Sequence, residues 1–282
     1  MIIIETIQEM RSFVQQSREK GQSIALVPTM GSLHQGHLAL LERAKEACDI
    51  VVLSIFINPT QFGPNEDFAK YPRDLAGDSE KAASVGVEVI FHPQAREMYP
   101  EGYSTFVQVE GITDKLCGMS RPGHFRGVTT VVNKLFNIVQ PDKAFFGQKD
   151  AQQVLVLQRM VMDLNMNIHL EVVPIVREAD GLAMSSRNAF LSAEERSAAL
   201  ILSQSLQLAE TLVAQGEQDI EVLRSQVMAK IATEKLATCE YAEVYHYPTL
   251  QGMNQIKEKA LLALAVRIGN TRLIDNTILE VK

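Results

Sequence analysis

Residues 23–47 read SIALVPTMGSLHQGHLALLERAKEA, and this stretch decides the fold. Its apolar beginning, SIALV, predicts a buried strand that ends near Pro28. Its last part, HLALLERAKEA, has apolar residues at helical spacing and predicts a helix that begins at or near His37. A strand that leads through a glycine-containing loop into a helix is typical of a βαβ unit. The stretch therefore predicts an α/β fold.

The same alternation of apolar runs and helix-like segments continues to about residue 175. Strands that are buried on both faces of a parallel sheet read as continuous Val, Ile, Leu and Phe runs, as these do. After about Val176, a polar connector precedes two long helix patterns and two strand-like runs. We predict a Rossmann-like, doubly wound parallel sheet in residues 1–175 and a second, smaller α+β domain in residues 176–282.

The composition restricts the class of protein. The chain has 282 residues, of which 46% are hydrophobic and 22% are charged, and this is typical of a soluble globular protein. Its formal net charge of -7 argues against a dedicated nucleic-acid binder and favours small-molecule partners. The cysteines match no metal-binding spacing, no apolar run approaches the ~18 residues of a membrane span, and the N-terminus does not resemble a signal peptide. We therefore expect a cytoplasmic protein that has no membrane partner.

The loop of the opening stretch contains His34 and His37 in the pattern HxGH. In open α/β sheets, ligands bind at the carboxyl ends of strands, where a helix N-terminus attracts phosphate. The two histidines are then placed to donate hydrogen bonds to a triphosphate. For this pattern alone, two other interpretations stay open: the histidines cap the helix, or they form a zinc pair, although none of the other histidines lies in a paired motif.

Two further loops follow predicted strands. In residues 56–67, FINPTQFGPNED, an Asn-Pro turn explains Asn58 but not Gln61, whose neutral amide is able to bind a hydroxyl or carboxylate oxygen. In residues 145–153, FFGQKDAQQ, Lys149 lies at the mouth of a helix, where it is able to neutralise phosphates. For that loop alone, a solvated Lys-Asp pair that caps the helix is the better interpretation.

The connector and the helix pattern of residues 71–81 supply further polar side chains. In residues 180–188, DGLAMSSRN, two serines and Arg187 are able to close over phosphates, and the alternative is an inter-domain linker with an N-cap serine. In YPRDLAGDSEK, Asp78 follows Asp74 by one helical turn and is a candidate magnesium ligand. Paired carboxylates on one helix face are more often solvated.

Five stretches between residues 28 and 188, taken together and in order, resemble one known family. They are PTMGSLHQGH, INPTQFGPNEDFAKYPR, RPGHFRGVTTVV, FFGQKDAQQ and VREADGLAMSSRN. The chain is similar to the pantothenate synthetases, or pantoate-beta-alanine ligases. This family belongs to the nucleotidyltransferase superfamily and shares its HxGH signature with class I aminoacyl-tRNA synthetases. After about residue 195 no motif carries the resemblance.

The resemblance implies an ATP-dependent carbon-nitrogen ligase that works through an acyl adenylate. The pantoate carboxylate attacks the α-phosphate of ATP, and the amine of beta-alanine then attacks the acyl carbon of pantoyl adenylate. The resemblance also implies Mg²⁺, a homodimer, and an ATP- and pantoate-binding first domain whose active site the second domain covers. The alternative is another HxGH nucleotidyltransferase. The neutral amides of Gln61 and Gln153 argue against it, since they suit a small hydroxy acid better than a phosphorylated acceptor.

The nucleotide-binding residues that the resemblance implies lie in the HxGH loop, around the lysine and in the connector. They are Met30, Gly31, Ser32, Leu33, His34, Gln35, Gly36, His37, Gly147, Gln148, Lys149, Asp150, Val176, Met184, Ser185, Ser186 and Arg187. The implied catalytic residues are His34, His37 and Lys149, and His37 is a proton donor in the family. Because the attacking carboxylate is already ionised, we expect both histidines to stabilise charge on the reacting phosphates as hydrogen-bond donors.

The remaining implied roles concern the substrates and the metal ion. Gln61 and Gln153 would hold pantoate, and Asp78 is the candidate ligand of Mg²⁺. Asp150 would lie near the ribose and Val176 at the adenine. The candidates for positioning the amine of beta-alanine are Tyr71, Arg121 and Arg187.

Overall fold

The computed structural model describes residues 1–64 and 66–281. Within these ranges the strands are β1 (Ile2–Ile4), β2 (Ile24–Thr29), β3 (Ile50–Ile55), β4 (Val89–Phe91), β5 (Lys143–Gly147), β6 (His169–Val173), β7 (Ala237–His246), β8 (Lys259–Ile268) and β9 (Thr271–Glu280). The helices are α1 (Ile7–Glu19), α2 (Gln35–Ala47), α3 (Leu75–Ser84), α4 (Ala95–Met98), α5 (Leu116–Ser120), α6 (His124–Val139), α7 (Ala151–Asp163), α8 (Ala193–Ala198), α9 (Ile201–Ala214) and α10 (Ile220–Ile231). Short 3-10 turns lie at Pro59–Gln61, Asp67–Lys70, Gln148–Asp150 and Ser186–Phe190.

The contacts between residues divide the chain into two compact units. The first contains Met1–Gly147 and Gln152–Pro174, and the second contains Gln148–Ala151 together with the chain from Ile175 onward. The short segment around Lys149 thus groups with the C-terminal unit, although the sequence places it in the first domain. None of the helices in the described ranges has the length and apolar character needed to cross a membrane.

A parallel sheet with the strand order β1-β4-β3-β2-β5-β6 forms the centre of the first unit. Successive residues of β2 pack on opposite faces of this sheet. Ile24 and Leu26 join a core with residues of α1, α6 and α7, whereas Ala25 and Val27 join a core with residues of α2 and α3. Helices therefore cover both faces, which explains the continuous apolar runs of the strands. The predicted doubly wound α/β sheet is confirmed.

The order of the strands places a topological switch point beside β2. From β2 the chain passes to its neighbour β3 and on to β4, and it then returns to β5 on the other side of β2. Open α/β sheets bind ligands at the carboxyl ends of the strands where the order reverses in this way. The HxGH loop leaves the carboxyl end of β2 and is therefore at the expected position for a ligand.

The second unit is built on the antiparallel sheet β7-β8-β9. Its core joins apolar residues of α9 and α10, such as Leu206 and Leu223, to apolar residues of the sheet, such as Leu262 and Leu264. Helices and an antiparallel sheet in one small unit give the α+β character that the sequence predicts, which is confirmed.

Candidate active site

One buried carboxylate holds the loop before the HxGH histidines. Asp78, in α3, is 2% exposed, and it accepts hydrogen bonds from the backbone N–H groups of Ser32 (Oδ2, 2.8 Å) and Leu33 (Oδ1, 2.7 Å). In the same helix, Lys81 donates from Nζ to the carbonyl oxygen of Leu33 at 2.8 Å. A buried carboxylate needs such donors to offset its lost hydration. Side chains of helix α3 therefore hold this loop by accepting from two of its backbone N–H groups and by donating to one of its carbonyl oxygens.

The backbone of this loop is left-handed at two successive positions. Gly31 has φ +83° and Ser32 has φ +55°. A Cβ atom at Gly31 would lie 2.9 Å from Oδ2 of Asp78 and 3.1 Å from Cγ2 of Ile55. Glycine is required at position 31 because neither the conformation nor the space admits a side chain.

His34 and His37 cap the N-terminus of α2 reciprocally. Nδ1 of His34 accepts a hydrogen bond from the N–H of Gly36 at 3.1 Å, and the N–H of His34 donates to Nδ1 of His37 at 3.3 Å. Because His34 supplies the N-cap, the helix begins at Gln35 rather than at His37. The capping interpretation of these histidines is therefore correct for their Nδ1 atoms.

The caps also decide where each imidazole carries its proton. A neutral imidazole that accepts a hydrogen bond at Nδ1 carries its hydrogen at Nε2. His34 and His37, whose ring centroids lie 4.1 Å apart, thus each carry a donor at Nε2. Capping and phosphate binding use different nitrogens of the rings and are compatible. Together with the N–H groups at the start of α2, the rings supply donors of the kind that bind phosphate.

The amide of Gln61 is oriented by Asn58. Gln61 ends the 3-10 turn Pro59–Gln61 and is 9% exposed, and Asn58 is 1% exposed. Nδ2 of Asn58 donates to Oε1 of Gln61 at 3.0 Å, and Nε2 of Gln61 donates to Sδ of Met30 at 3.3 Å. The loop after β3 thus meets the loop after β2. Because its oxygen is held by Asn58, Gln61 offers an N–H to a ligand oxygen.

The orientation of Asn58 follows from its backbone partners. Nδ2 also donates to the carbonyl oxygen of Gly127 at 3.1 Å, and Oδ1 accepts from the N–H of Thr60 at 3.4 Å and from the hydroxyl of Tyr99 at 2.7 Å. A backbone carbonyl only accepts and a backbone N–H only donates, so these groups identify the two ends of the Asn58 amide. Burial raises the pKa of Tyr99 to about 12, and its hydroxyl remains a donor at neutral pH. Tyr99 helps to orient Asn58, and Asn58 holds Oε1 of Gln61. These hydrogen bonds therefore decide that Gln61 presents its N–H.

Arg121 is engaged with the turn that carries Gln61. Its Nε donates to Oε1 of Glu66 at 2.7 Å, and its Nη1 lies 3.1 Å from Nε2 of His124. Nδ1 of His124 lies 2.9 Å from the carbonyl oxygen of Gln61. Burial acts to raise the pKa of Glu66, but the hydrogen bonds and charge of Arg121 outweigh it and lower this pKa. The cluster therefore ties the Gln61 turn to the start of α6.

Two adjacent glutamines at the start of α7 have different environments. Gln152 is 6% exposed, and its amide accepts from the N–H of Cys117 at 3.0 Å and donates to the carbonyl oxygen of Ile112 at 2.9 Å. Gln153, the predicted pantoate ligand, is only partly buried. Gly147, which ends β5, lies just before this region. Gln152 has a structural role, and Gln153 remains the candidate for substrate binding.

Two segments of the second unit contain the other predicted nucleotide-binding residues. In the connector, the N–H of Met184 donates to the carbonyl oxygen of Val176 at 3.0 Å. Ser185 caps the 3-10 turn Ser186–Phe190, because its Oγ accepts from the N–H of Arg187 at 3.2 Å. A serine cap, the alternative interpretation of this stretch, is thus present within a folded loop rather than an extended linker.

The second of these segments is the 3-10 turn Gln148–Asp150, directly before α7. The carbonyl oxygens of Gln148 and Lys149 accept hydrogen bonds from Nδ2 of Asn276. Asn276 is not among the site residues expected from the sequence. A signal existed, because Asp275 and Asn276 interrupt the apolar pattern of residues 272–279, RLIDNTIL, which lie in the unpredicted strand β9. For Tyr99, which lies 41 residues from its partner Asn58, the sequence contains no comparable signal.

The described residues are compatible with a magnesium ion that is coordinated mainly by the phosphates of a bound substrate. Among the side chains that the structure describes, no group of three or more His, Cys, Asp and Glu is arranged to hold a metal ion. Both oxygens of Asp78 accept backbone hydrogen bonds, and each keeps a further lone pair. Mg²⁺ is commonly bound through one or two carboxylates and the phosphates of a substrate. The alternative interpretation of the two histidines as a zinc pair finds no third ligand among the described side chains.

Comparison with known protein families finds similarity over almost the whole chain. The family model of pantoate-beta-alanine ligase matches residues 2–278. The pantothenate synthetase of Pelotomaculum thermopropionicum is 61% identical over 279 residues, which are 99% of each chain. The pantothenate synthetase of Acetivibrio thermocellus is 57% identical over 281 residues, which are 100% of each chain.

Solved structures give the same result. The pantothenate synthetase of Thermus thermophilus matches with a TM-score of 0.93 and 42% identity, over 98% of this chain and 99% of that one. The pantoate-beta-alanine ligase of Francisella tularensis, solved in complex with beta-gamma ATP and beta-alanine, matches with a TM-score of 0.80 and 35% identity, over 99% of this chain and 97% of that one. The similarity therefore covers both units.

Proposed function

Because this chain belongs to the pantoate-beta-alanine ligase family, we propose that it condenses pantoate with beta-alanine to form pantothenate. ATP drives the reaction and is converted to AMP and pyrophosphate. The observation that carries the proposal is the N-terminus of α2 at the switch point of the sheet, where His34 and His37 each carry a donor at Nε2. Backbone N–H groups and imidazole donors at such a position suit a nucleotide triphosphate.

In the first step, a carboxylate oxygen of pantoate attacks the α-phosphorus of ATP, and the bond to the β-phosphate oxygen breaks. Pyrophosphate leaves with its electron pair, and pantoyl adenylate is formed. Negative charge builds on the phosphate oxygens during this transfer, so the Nε2–H groups of His34 and His37 and the cation of Lys149 stabilise it. No general base is required, because the carboxylate is already ionised.

Pantoate is held by two neutral amides. Gln61 offers an N–H, since its oxygen already accepts from Asn58, and this donor suits a carboxylate or hydroxyl oxygen of pantoate. Gln153 supplies a second amide from the start of α7. A neutral amide binds such an oxygen without the cost of burying a charge.

In the second step, the neutral amine of beta-alanine attacks the acyl carbon of pantoyl adenylate. The carbon-nitrogen bond forms, the bond to the AMP oxygen breaks, and the nitrogen loses a proton to solvent. AMP is a good leaving group, whereas the oxygen of a free carboxylate is not, and this difference is the chemical purpose of the first step. The candidates for positioning the amine remain Tyr71, Arg121 and Arg187.

The residues of the second unit would bind the nucleotide. Val176 offers backbone groups to the adenine, Asp150 lies near the ribose, and Met184–Arg187 bind the triphosphate. Serine hydroxyls, backbone N–H groups and a guanidinium are suited to phosphate oxygens. A bound Mg²⁺ would neutralise phosphate charge, and Asp78 is the described carboxylate that would contribute to holding it.

The proposed assembly rests on the family resemblance, and the proposed compartment on the need for ATP. We propose a homodimer in the cytoplasm, the compartment that supplies ATP. Sedimentation equilibrium with the purified chain measures the assembly, and a mass of one chain at micromolar concentration would contradict a stable dimer.

The activity is tested with the purified protein, ATP, Mg²⁺, pantoate and beta-alanine. Pyrophosphate, AMP and pantothenate are measured together, because the proposal requires them in equal amounts. Omission of beta-alanine should leave pyrophosphate release limited to about one turnover, since the adenylate stays bound. Release of AMP that does not depend on pantoate would reject the proposed reaction, and pyrophosphate release without AMP would favour the alternative, another HxGH nucleotidyltransferase.

A further inference from the structure

Strand β9 carries two adjacent polar residues that are almost completely buried. Asp275 is 2% exposed and Asn276 is 3% exposed. Successive residues of a strand point to opposite faces of the sheet. Leu273 and Leu279, which share a face with Asp275, belong to the hydrophobic core of the unit. Burial of polar groups on both faces is unfavourable unless each finds hydrogen-bond partners.

The amide nitrogen of Asn276 finds its partners in the turn Gln148–Asp150. Its Nδ2 donates to the carbonyl oxygen of Gln148 at 3.0 Å and to the carbonyl oxygen of Lys149 at 2.9 Å. These two carbonyls belong to the peptide units on either side of the Lys149 Cα atom. By holding both units, Asn276 fixes the direction in which the side chain of Lys149 leaves the backbone.

Asp275 finds its partner in the connector. It accepts two hydrogen bonds from Arg177, at 2.7 Å from Nη1 and at 3.0 Å from Nη2, and Nη1 also donates to the carbonyl oxygen of Gly181 at 3.1 Å. The backbone of Arg177 pairs with that of Ala183 in an antiparallel bridge. A bidentate pair of this kind fixes direction as well as distance. The hairpin that leads to the serine cap at Ser185 is thus held by β9.

We propose that Asp275 and Asn276 are positioning residues for adenylate formation, which hold the Lys149 turn and the connector hairpin on one rigid strand. The proposal rests on the phosphate-binding roles proposed above for Lys149 and the connector. Asp275 and Asn276 themselves act through other residues. A strand that is paired along its length with β8 is a stiffer support than either loop, and catalysis depends on such support, since a small displacement of a catalytic group slows the chemistry strongly.

Asn276→Ala is the direct test, with single-turnover pyrophosphate release in the intact protein as the readout. We expect release to slow by ~10–100-fold, because Lys149 is no longer held in a productive geometry. The matched control is Thr277→Val. Thr277 is the next residue of β9, and its hydroxyl donates to Glu210 at 2.6 Å rather than to either loop. The control should keep the rate and melting temperature of the wild type.

A double-mutant cycle with Lys149→Ala separates positioning from a general structural role. If Asn276 acts through Lys149, Asn276→Ala should have little further effect on the rate when Lys149 is already absent. Equal slowing in both backgrounds would overturn the proposal. A wild-type rate for Lys149→Ala would instead reject the role of Lys149 in the proposed function. If Lys149→Ala is slow but Asn276→Ala keeps the wild-type rate, only the positioning role of Asn276 is rejected.

A second pair of variants keeps the test valid if Asn276→Ala does not fold. Asn276→Ser keeps a donor, whereas Asn276→Asp places a carboxylate oxygen opposite the two carbonyl oxygens. We expect pyrophosphate release to be slower for Asn276→Asp than for Asn276→Ser by at least ~10-fold. Equal rates for these two variants would overturn the proposal.

Discussion

Asn58 donates a hydrogen bond to Oε1 of Gln61 at 3.0 Å, and this bond decides which end of the Gln61 amide is available to a ligand. Asn58 caps the 3-10 turn that contains Gln61, yet the orientation of Asn58 depends on Gly127 and Tyr99, which come from distant parts of the chain. A neutral amide is able to donate or to accept, so it has no polarity of its own in recognition. Its surroundings make Gln61 a donor.

Asn58→Asp tests this relationship. The carboxylate loses the donor and places an oxygen opposite the acceptors of Gln61 and Gly127, so the Gln61 amide should rotate and lose its N–H toward pantoate. A lost or unsatisfied bond of this kind costs about 1–3 kcal/mol, which corresponds to a rise in the KM for pantoate of about 5- to 150-fold. The KM for ATP should change less. Steady-state kinetics with each substrate varied in turn measures both constants.

The control for that variant is Asn137→Asp. The amide of Asn137 donates to the carbonyl oxygen of Asn133 on an exposed face of α6, and it contacts none of the proposed site residues. Both kinetic constants should stay at their wild-type values. An unchanged KM for pantoate in Asn58→Asp would mean that Asn58 does not orient the amide that binds pantoate.

Asp78→Asn distinguishes a loop clamp from a metal ligand. The asparagine keeps the shape, but its nitrogen would face one of the two backbone N–H groups of Ser32 and Leu33. We expect the affinity for ATP to fall by about tenfold, as an unsatisfied buried donor costs about 1–3 kcal/mol. Because Asp78 is also proposed to contribute to holding Mg²⁺, the concentration of Mg²⁺ that gives half-maximal activity at saturating ATP should rise. An unchanged concentration would show that Asp78 only clamps the loop.

Asp74→Asn is the matched control for this substitution. Asp74 caps the same helix by accepting from the N–H of Gly77, and asparagine is an equally good N-cap residue. We expect no change in ATP affinity or in the response to Mg²⁺.

His37→Ala should affect catalysis more than stability. Removal of one donor to the reacting phosphates is expected to slow pyrophosphate release by about 10²–10³-fold, as for other donors that stabilise developing charge. Loss of the cap that its Nδ1 provides should reduce the free energy of unfolding by about 1 kcal/mol. Single-turnover kinetics and chemical denaturation measure the two effects. His169→Ala, at an exposed position of β6, is the control for removal of an imidazole, and an equally small effect of both variants on the rate would place the phosphate site elsewhere.

The ion pair of Glu66 and Arg121 should make the stability of the first unit depend on pH in the acid range. Burial acts to raise the pKa of Glu66, but Arg121 lowers it overall, so the folded protein binds this proton less readily than the unfolded chain. The stabilisation is therefore complete above the pKa of an unfolded glutamate, about 4.3, and is lost as the pH falls through the lower folded value. Glu66→Gln should lose less stability than the wild type between about pH 7 and about pH 3.

Thermal unfolding followed by circular dichroism at these pH values measures the difference. The control is Glu46→Gln, because Glu46 pairs with Arg43 on an exposed surface, where ion pairs contribute little. Parallel curves of melting temperature against pH for Glu66→Gln and the wild type would exclude a contribution of this pair.

Much of the fold is predictable from local pattern. The run from Ile24 to Val27 predicts a strand buried on both faces, and cores on both faces confirm it. The beginning of α2 is predicted less well, because His34 is an unusual N-cap residue and sequence preferences favour short polar side chains there. The grouping of Gln148–Ala151 with the C-terminal unit is not predictable, since the segment continues directly from β5.

The candidate site, like the fold, is predictable from the sequence only in part. The residues proposed to contact a ligand occur in contiguous motifs, and their proposed roles follow from loop position and residue type. Asn58 shares a motif with the Gln61 that it orients, but the other supporting residues are distant in sequence: Tyr99 reaches Asn58 across 41 positions, and Asn276 reaches Lys149 across 127 positions. Asp78, predicted as a candidate metal ligand, is found holding Ser32 and Leu33 by their backbone N–H groups.

The sequence by itself determined the alternation of strands and helices in the first unit, the loops proposed to bind phosphate, and the family. The physical reason is that hydrophobic periodicity, turn residues and motif spacing are properties of neighbouring residues. Only the tertiary structure decided which amide end Gln61 presents, which nitrogen of each capping histidine carries the proton, and which strand holds Lys149. Those properties depend on which buried donors and acceptors meet, and packing between distant segments brings them together.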